Sequence, residues 1–372
     1  MLLIMILDLV LLITKQLRKC GDDTKDEDRN KMGNNEKDTS KSKAIFVEFF
    51  GPSVNQLSIA DRSAVANLCT EYGAKVGYFP VDDITIDYLR HTGRDNHQVE
   101  VIEMYMKRVG MFRNSKEDSQ ENDETTKTGI KYDSVVSIDL SDAQVTISGP
   151  KKLKERVLLE HVSENFYQSL TKLYDVPSNR LGASINIDLG NLQFTYGFYI
   201  IRNLYLFRHL KSNIQCVSKI LDGKLYSLRH GTILSAAIAS STNTSNPSVI
   251  LTAGLLAKKA VEAGLEVPKF IKTSLAPGPG IVTSYLRESG VMPYLYMLGF
   301  EVIGYGCTTC VANANARSIP AVLDSICQNG LVCCGVFAGN RNFEGRLDRN
   351  LRANYLTSAP LVIAYALAGK FK

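Results

Sequence analysis

Histidine is scarce in this chain and poorly spaced for metal chemistry. His91, His97, His161, His209 and His230 form neither an H-x-x-x-H nor an H-E-x-x-H pair, so a histidine-based zinc enzyme is not expected. A long hydrophobic run is missing as well. Residues 1–13 are strongly apolar, but the stretch is too short to span a bilayer and Asp8 interrupts it. A secretory signal has a basic start and a small-residue cleavage site, whereas Lys15, Arg18 and Lys19 follow the apolar residues here. The expectation is an atypical start to a cytoplasmic protein without a stable membrane partner, with a signal or anchor as the alternative. No excess of one charge exists beyond a net +5, which permits nucleic-acid contact without arguing for it. Pro277-Gly278-Pro279-Gly280 lacks the lysine and spacing of a P-loop and reads as a structural turn.

The eight cysteines (Cys20, Cys69, Cys216, Cys307, Cys310, Cys327, Cys333 and Cys334) are scattered too unevenly for a disulfide framework. Reduced thiols with one metal-type pair is the better reading. That pair is Cys307-Thr308-Thr309-Cys310. Two thiolates at this spacing can hold one edge of a metal or an iron–sulfur cluster. Two buried structural cysteines are the alternative.

At 372 residues the chain has room for two or three domains. Residues 1–43 read as the apolar start and a disordered linker, 44–150 as an α/β domain, 151–232 as an irregular connecting region and 233–372 as an α/β/α domain. In the second segment the pattern predicts a strand over 44–51 and a helix from Ser58 through about Tyr72, closed by Gly73. A strand over 74–81, helices near 83–91 and 98–111, and a strand over 135–140 follow. From residue 234 strands alternate with helices: strands over 234–240, 268–275, 301–305 and 331–338, helices over 248–263, 281–288, 318–328 and 360–368. Alternation of this kind predicts layered α/β/α domains with mostly parallel sheets. Loops after strand ends build the site in such sheets, and Ser240–Asn243, Cys307–Cys310 and Asn340–Arg346 are loops of that class. The aromatic-rich residues 189–222 fit no element.

Several stretches carry a resemblance in order along the chain: 46–52 (FVEFFGP), 56–62 (QLSIADR), 241–248 (STNTSNPS), 273–275 (TSL), 304–307 (GYGC), 340–346 (NRNFEGR) and 352–356 (RANYL). On these stretches the chain resembles the aconitase family, and within it the cytosolic branch of iron regulatory proteins. The resemblance implies a 4Fe–4S cluster held by three cysteines, with citrate or isocitrate on its open iron. Cys307 and Cys310 match the second and third ligands, and Ser241 stands where the family has the first cysteine. A serine hydroxyl is a harder ligand that keeps its proton near neutral pH, so the ligand set is incomplete. Asn340, Arg341 and Arg346 match the substrate-facing segment, and a guanidinium fork suits a carboxylate. Asn67 and Glu71, read as one helical turn apart on one face, match catalytic positions near the cluster and substrate.

The family chain is much longer, and its flanking domains supply the acid–base groups that dehydration requires. The branch resemblance also implies binding of an RNA hairpin, the iron-responsive element, through Ser148, Lys151, Arg156, Thr242 and Asn243, since hairpin loops are read by stacking, base edges and phosphate contacts. The expectation is a partial, monomeric chain with residual cluster and RNA binding that is not catalytically competent alone. The alternative is an aconitate hydratase whose full-length form supplies the missing domains.

Overall fold

The computed structural model describes residues 8–17, 45–114, 131–150, 156–188, 225–306, 320–339 and 351–371. Its strands in chain order are β1 (Phe46–Glu48), β2 (Val76–Tyr78), β3 (Thr146–Ser148), β4 (Arg156–Leu158), β5 (Ser184–Asp188), β6 (Leu225–Arg229), β7 (Ile233–Ala239), β8 (Lys272–Ala276), β9 (Cys334–Ala338) and β10 (Ala353–Leu356). Six of them form one sheet in the order β4-β3-β10-β9-β7-β8. From β10 to β8 every pairing is parallel, while β3 runs antiparallel to both β10 and β4. The mixed α/β architecture with a mostly parallel sheet is the one expected.

β7 reads Ile-Leu-Ser-Ala-Ala-Ile-Ala and is buried at every residue. A continuous apolar strand belongs at the centre of a parallel sheet covered on both faces. Helix Ala359–Ala368 packs on β7 and β9 and against helix Pro247–Glu262. The latter starts on an Asn246 cap with Pro247 in its first turn and is followed by Gly264 at φ +73°, which are the start and stop signals of an α-helix.

A second, smaller unit precedes the sheet. β1 and β2 pair in parallel over three residues each, and a helix over residues 8–17 packs on the same unit. Leu9, Val10 and Ile13 of that helix cluster with Val65, Leu68, Tyr72 and Ala74. Residues 8–14 of this helix are buried and Lys15 is exposed, so the described part of the apolar start is a core element of the unit. Its interrupting residue Asp8 is only 2 % exposed, and its carboxylate accepts from the Thr146 N–H at 2.8 Å and Oγ1 at 2.9 Å. The charge that argued against a membrane segment is thus the helix's tie to β3.

Some expected elements differ. The helix starting at Ser58 spans Ile59–Asn67, and residues 68–73 are turns. Tyr72 folds back so that its hydroxyl donates to the Val65 carbonyl at 3.0 Å, and Gly73 takes φ +82°. Asn67 and Glu71 therefore do not share a helical face. Residues 135–139 form no strand; Ile138 and Leu140 pack on the small N-terminal cluster instead of joining a ladder. The strand expected at 301–305 is a single bridge between Val302 and Leu275. Residues 156–188 and 225–229 carry β4, a helix over Val162–Lys172, β5 and β6, within the stretch read as irregular. β3 and β4 pair with each other, so residues on both sides of the 150/151 boundary share one sheet. Residues 189–222 lie outside the described residues.

Candidate functional site

The sheet reverses its winding between β7 and β9. β7 leads through helix Pro247–Glu262 to β8 on one side, whereas β10 lies on the far side of β9. Such a switch point opens a crevice at the strand C-terminal ends. The loop after β7 lines it and is built from hydroxyls. The Ser240 and Ser245 hydroxyls share a hydrogen bond at 2.8 Å. The Ser241 N–H donates to Thr244 Oγ1 at 2.9 Å, and the Ser241 and Thr244 hydroxyls share a bond at 2.9 Å. The Ser241 carbonyl accepts from the Ser245 N–H at 3.0 Å and from Ser245 Oγ at 2.7 Å. Ser, Thr and Asn favour such local loops because their side chains replace missing backbone partners.

Two further segments lean on this loop. Gly278 packs so closely on the Ser241 carbonyl and the Ser245 hydroxyl that a Cβ there would overlap both. The carbonyl of the neighbouring Pro277 accepts from the Gly306 N–H at 2.7 Å, one residue before Cys307. The Pro-Gly turn is structural, as read, and it links Ser241 to the start of the Cys307 segment. After β9, Gly339 lies against the Ala239 carbonyl at φ +154°, a conformation open to glycine. Asn340 follows directly.

The N-terminal unit supplies the last wall. Asn246 Nδ2 donates to Asp61 Oδ1 at 2.6 Å, and Asn243 Nδ2 faces Asn67 Oδ1 at 3.5 Å. Asn67, Ser241, Thr242 and Asn243 thus come together, with Thr242 and Asn243 exposed. Glu71 is half-buried in the turn beyond the helix. Asp61 and Asn246 were not singled out by sequence reasoning, although Ser58-Ile59-Ala60-Asp61 is a capping-box pattern. Their 185-residue separation hides the contact. Cys307, Cys310, Asn340, Arg341, Arg346 and Lys151 lie outside the described residues.

Ser148 on β3 sits three strands away from β7 and Arg156 on β4 four, paired with each other in register. Ser148 is fully buried, and Asn354 of β10 donates its N–H to the Pro150 carbonyl at 3.0 Å. Arg156 has Nε and Nη2 sealed from solvent without a hydrogen-bond partner. Burial lowers its pKa, opposed by the charges of Asp8 and Asp142. Ser148 is thus withdrawn from solvent, whereas Arg156 remains partly exposed.

Among the described residues no group of three or more His, Cys, Asp or Glu side chains could hold a metal ion. Burial pushes the Cys333 thiol up to about 12 and Cys334 well above the ordinary range, so both are protonated, inert core residues. Where the resemblance places a cluster ligand, the described donor is the Ser241 hydroxyl, already engaged by Thr244. This donor does not fit a cluster held by three thiolates. No helix among the described residues is long and apolar enough to cross a membrane.

In comparison with known protein families, residues 35–369 match the aconitase family (aconitate hydratase). The chain belongs to the aconitase family. Proteins of this family typically bind a 4Fe–4S cluster, and its reaction substrates are tricarboxylates.

Proposed function

We propose that this chain binds a tricarboxylate of the citrate or isocitrate type in the crevice between β7 and β9, with an impaired hold on an iron–sulfur cluster. The observation that carries the reading is convergence. The Ser240–Asn246 loop, the Pro277-Gly278 turn, Gly306 and Asn67 meet at the one point where the sheet changes its winding. Neutral donors on Ser241, Thr242, Asn243 and Asn67 suit carboxylate oxygens. By the family match, Asn340 would add a further amide and Arg341 and Arg346 positive charge, and Cys307 and Cys310 would supply the thiolates. Stereospecific dehydration further needs a positioned base and acid, so aconitate hydratase activity is the alternative for a form of the protein that carries them. Glu71 has no role in this reading.

A second reading, binding of an iron-responsive RNA hairpin in the manner of the cytosolic branch, has support in the exposed Thr242 and Asn243. It requires β3 to open at Ser148, which is fully buried; Arg156 and Lys151 would then join it. A monomer in a reducing, cytoplasmic setting accompanies either reading, in keeping with free thiols at Cys69, Cys333 and Cys334.

Anaerobic reconstitution with iron and sulfide of the protein and of Ser241→Cys tests the proposal, alongside citrate titration by calorimetry. The variant should hold several times more cluster, read by iron content and visible absorbance, while the unaltered protein binds citrate measurably. Equal cluster content in the two proteins would refute the role given to Ser241. Heat of binding that is absent with citrate but present with the RNA hairpin would favour the second reading.

A further inference from the structure

One carboxylate joins the caps of the two helices that carry the site. Asp61 Oδ2 accepts from the Ser58 N–H at 3.1 Å and from Ser58 Oγ at 2.6 Å, while the Asp61 N–H returns a bond to Ser58 Oγ at 3.2 Å. This capping box starts helix Ile59–Asn67. The other oxygen, Oδ1, accepts from Asn246 Nδ2 at 2.6 Å. Asn246 is 3 % exposed, and its own Oδ1 accepts from the Ser248 N–H at 3.0 Å, starting helix Pro247–Glu262. Each polar atom of the Asp61–Asn246 pair is therefore committed in a defined sense. Asn67 ends the first helix, and Ser241, Thr242 and Asn243 precede the second cap.

We propose that Asp61 is a positioning residue for the tricarboxylate site: through Asn246 it sets the approach of the Ser241–Asn243 loop to Asn67. The proposal rests on the tricarboxylate reading given above. The hydrogen bonds Asp61–Asn246 and Asn243–Asn67 span the gap here, and they are unequal. The charge-assisted bond to Asn246 is short, and such bonds are roughly twice as strong as neutral ones. The neutral contact between Asn243 and Asn67 is at the 3.5 Å limit of a hydrogen bond. The first therefore holds the distance, and the second follows from it. With that distance held, Asn67 and the loop present donors to the same ligand without a reorganisation step, which lowers the cost of binding.

An exchange of the two side chains isolates this role. Asn246→Asp faces one carboxylate with another, yet leaves a strong helix cap, because Asp and Asn cap equally well. The double variant Asp61→Asn/Asn246→Asp restores an amide-to-carboxylate bond with its polarity reversed. Hydrogen exchange at the Ser241 and Ser245 amides reads the loop, and citrate titration reads the site. Asn246→Asp should weaken citrate binding about tenfold or more and raise exchange at both amides, with the double variant recovering to within about threefold of the parent. Unchanged exchange in Asn246→Asp, or a double variant as impaired as the single, would overturn the proposal. Lost stability with unaltered citrate affinity would also overturn it, leaving Asp61 a purely structural role. If no form binds citrate while exchange follows the side-chain swap, the tricarboxylate reading fails and the control of the loop by Asp61 stands.

Discussion

The two halves of the site rest on very different foundations. The sheet unit has one continuous core running from Ile147 to Phe371, with Phe166, Phe300 and Tyr355 fully buried. The N-terminal unit has two strands of three residues each and a cluster completed by helix 8–17. A two-stranded pairing has little stability of its own. This unit relies instead on a few buried groups. Arg62 Nη2 contacts Asp82 Oδ2 at 2.8 Å, with both side chains almost entirely buried, and Arg113 Nη1 lies 3.7 Å from the same oxygen. Arg62 also donates to the Leu57 and Val54 carbonyls, and Arg113 to Asn55 Oδ1 and the Gly51 carbonyl. Asp82 thereby anchors the loop ahead of the Asn67 helix. Sheet mutations should act on the whole fold, whereas N-terminal ones should act on the site through position.

The contrast is broken most strongly at Asp82. Burial disfavours its charge, but hydrogen bonds from Arg62 and the Thr85 N–H, with the Arg62 charge, outweigh that and lower its pKa. Asp82→Ala leaves two buried guanidinium groups without their carboxylate and should cost about 3–5 kcal/mol. Hydrogen exchange should rise across residues 45–114 while β7 and β9 stay protected. Uniform exchange across both units would show that they unfold as one.

Matched core truncations sharpen the comparison. Ile13→Ala and Ile363→Ala each remove a side chain at most 2 % exposed and should each cost about 2–5 kcal/mol. In denaturant melts followed by segment-resolved exchange, the first should open the N-terminal unit alone and the second both units. A smaller loss, about 1–3 kcal/mol, is expected for Asp8→Ala, which strips the Thr146 N–H and hydroxyl of their acceptor. Equal stability of Asp8→Ala and the parent would mean that helix 8–17 docks by apolar contact alone.

The smallest effect separates the units by pH. His230 is buried, accepts from the Val332 N–H at Nδ1 at 3.0 Å, and lies 3.1 Å from the Arg180 carbonyl at Nε2. Burial lowers its pKa, assisted by the charges of Arg180 and Arg352 and opposed by the Arg180 carbonyl. A histidine with a depressed folded pKa contributes fully above its unfolded value of about 6.5 and loses that contribution as pH falls through the folded value. Acid titration should therefore weaken the sheet unit first. The contribution of Asp82 persists until pH falls below the ordinary carboxylate value of about 3.9. His230→Gln should flatten the first phase of a stability-against-pH curve, and an unchanged first phase would assign it to another group.

Strong local patterns were legible in advance. β7, expected over 234–240, is found over Ile233–Ala239, and the helix expected over 248–263 is found over Pro247–Glu262. The loop after β7 follows from its place behind that strand. Weakly patterned elements were not legible. β10 has only four residues, Ala-Asn-Tyr-Leu, and is a strand because β9 offers it an edge. Residues 135–139 have strand composition, but their apolar side chains find a cluster to fill before they find a ladder. Asn67 and Glu71 looked like helical neighbours because the side-chain bond from Tyr72 that accompanies the turn cannot be read from spacing.

The sequence by itself determined the α/β alternation, the apolar strands at the sheet centre and the hydroxyl-rich loop that lines the crevice, because periodicity, caps and turn residues act over a few positions. Only the tertiary structure decided that Asp8 serves Thr146, that residues 8–14 lie in a core helix, that Ser148 is sealed inside a ladder and that Asp61 reaches Asn246. Each of these rests on a contact between residues distant in sequence or on the burial that packing creates, and no local pattern encodes a partner that the fold brings near.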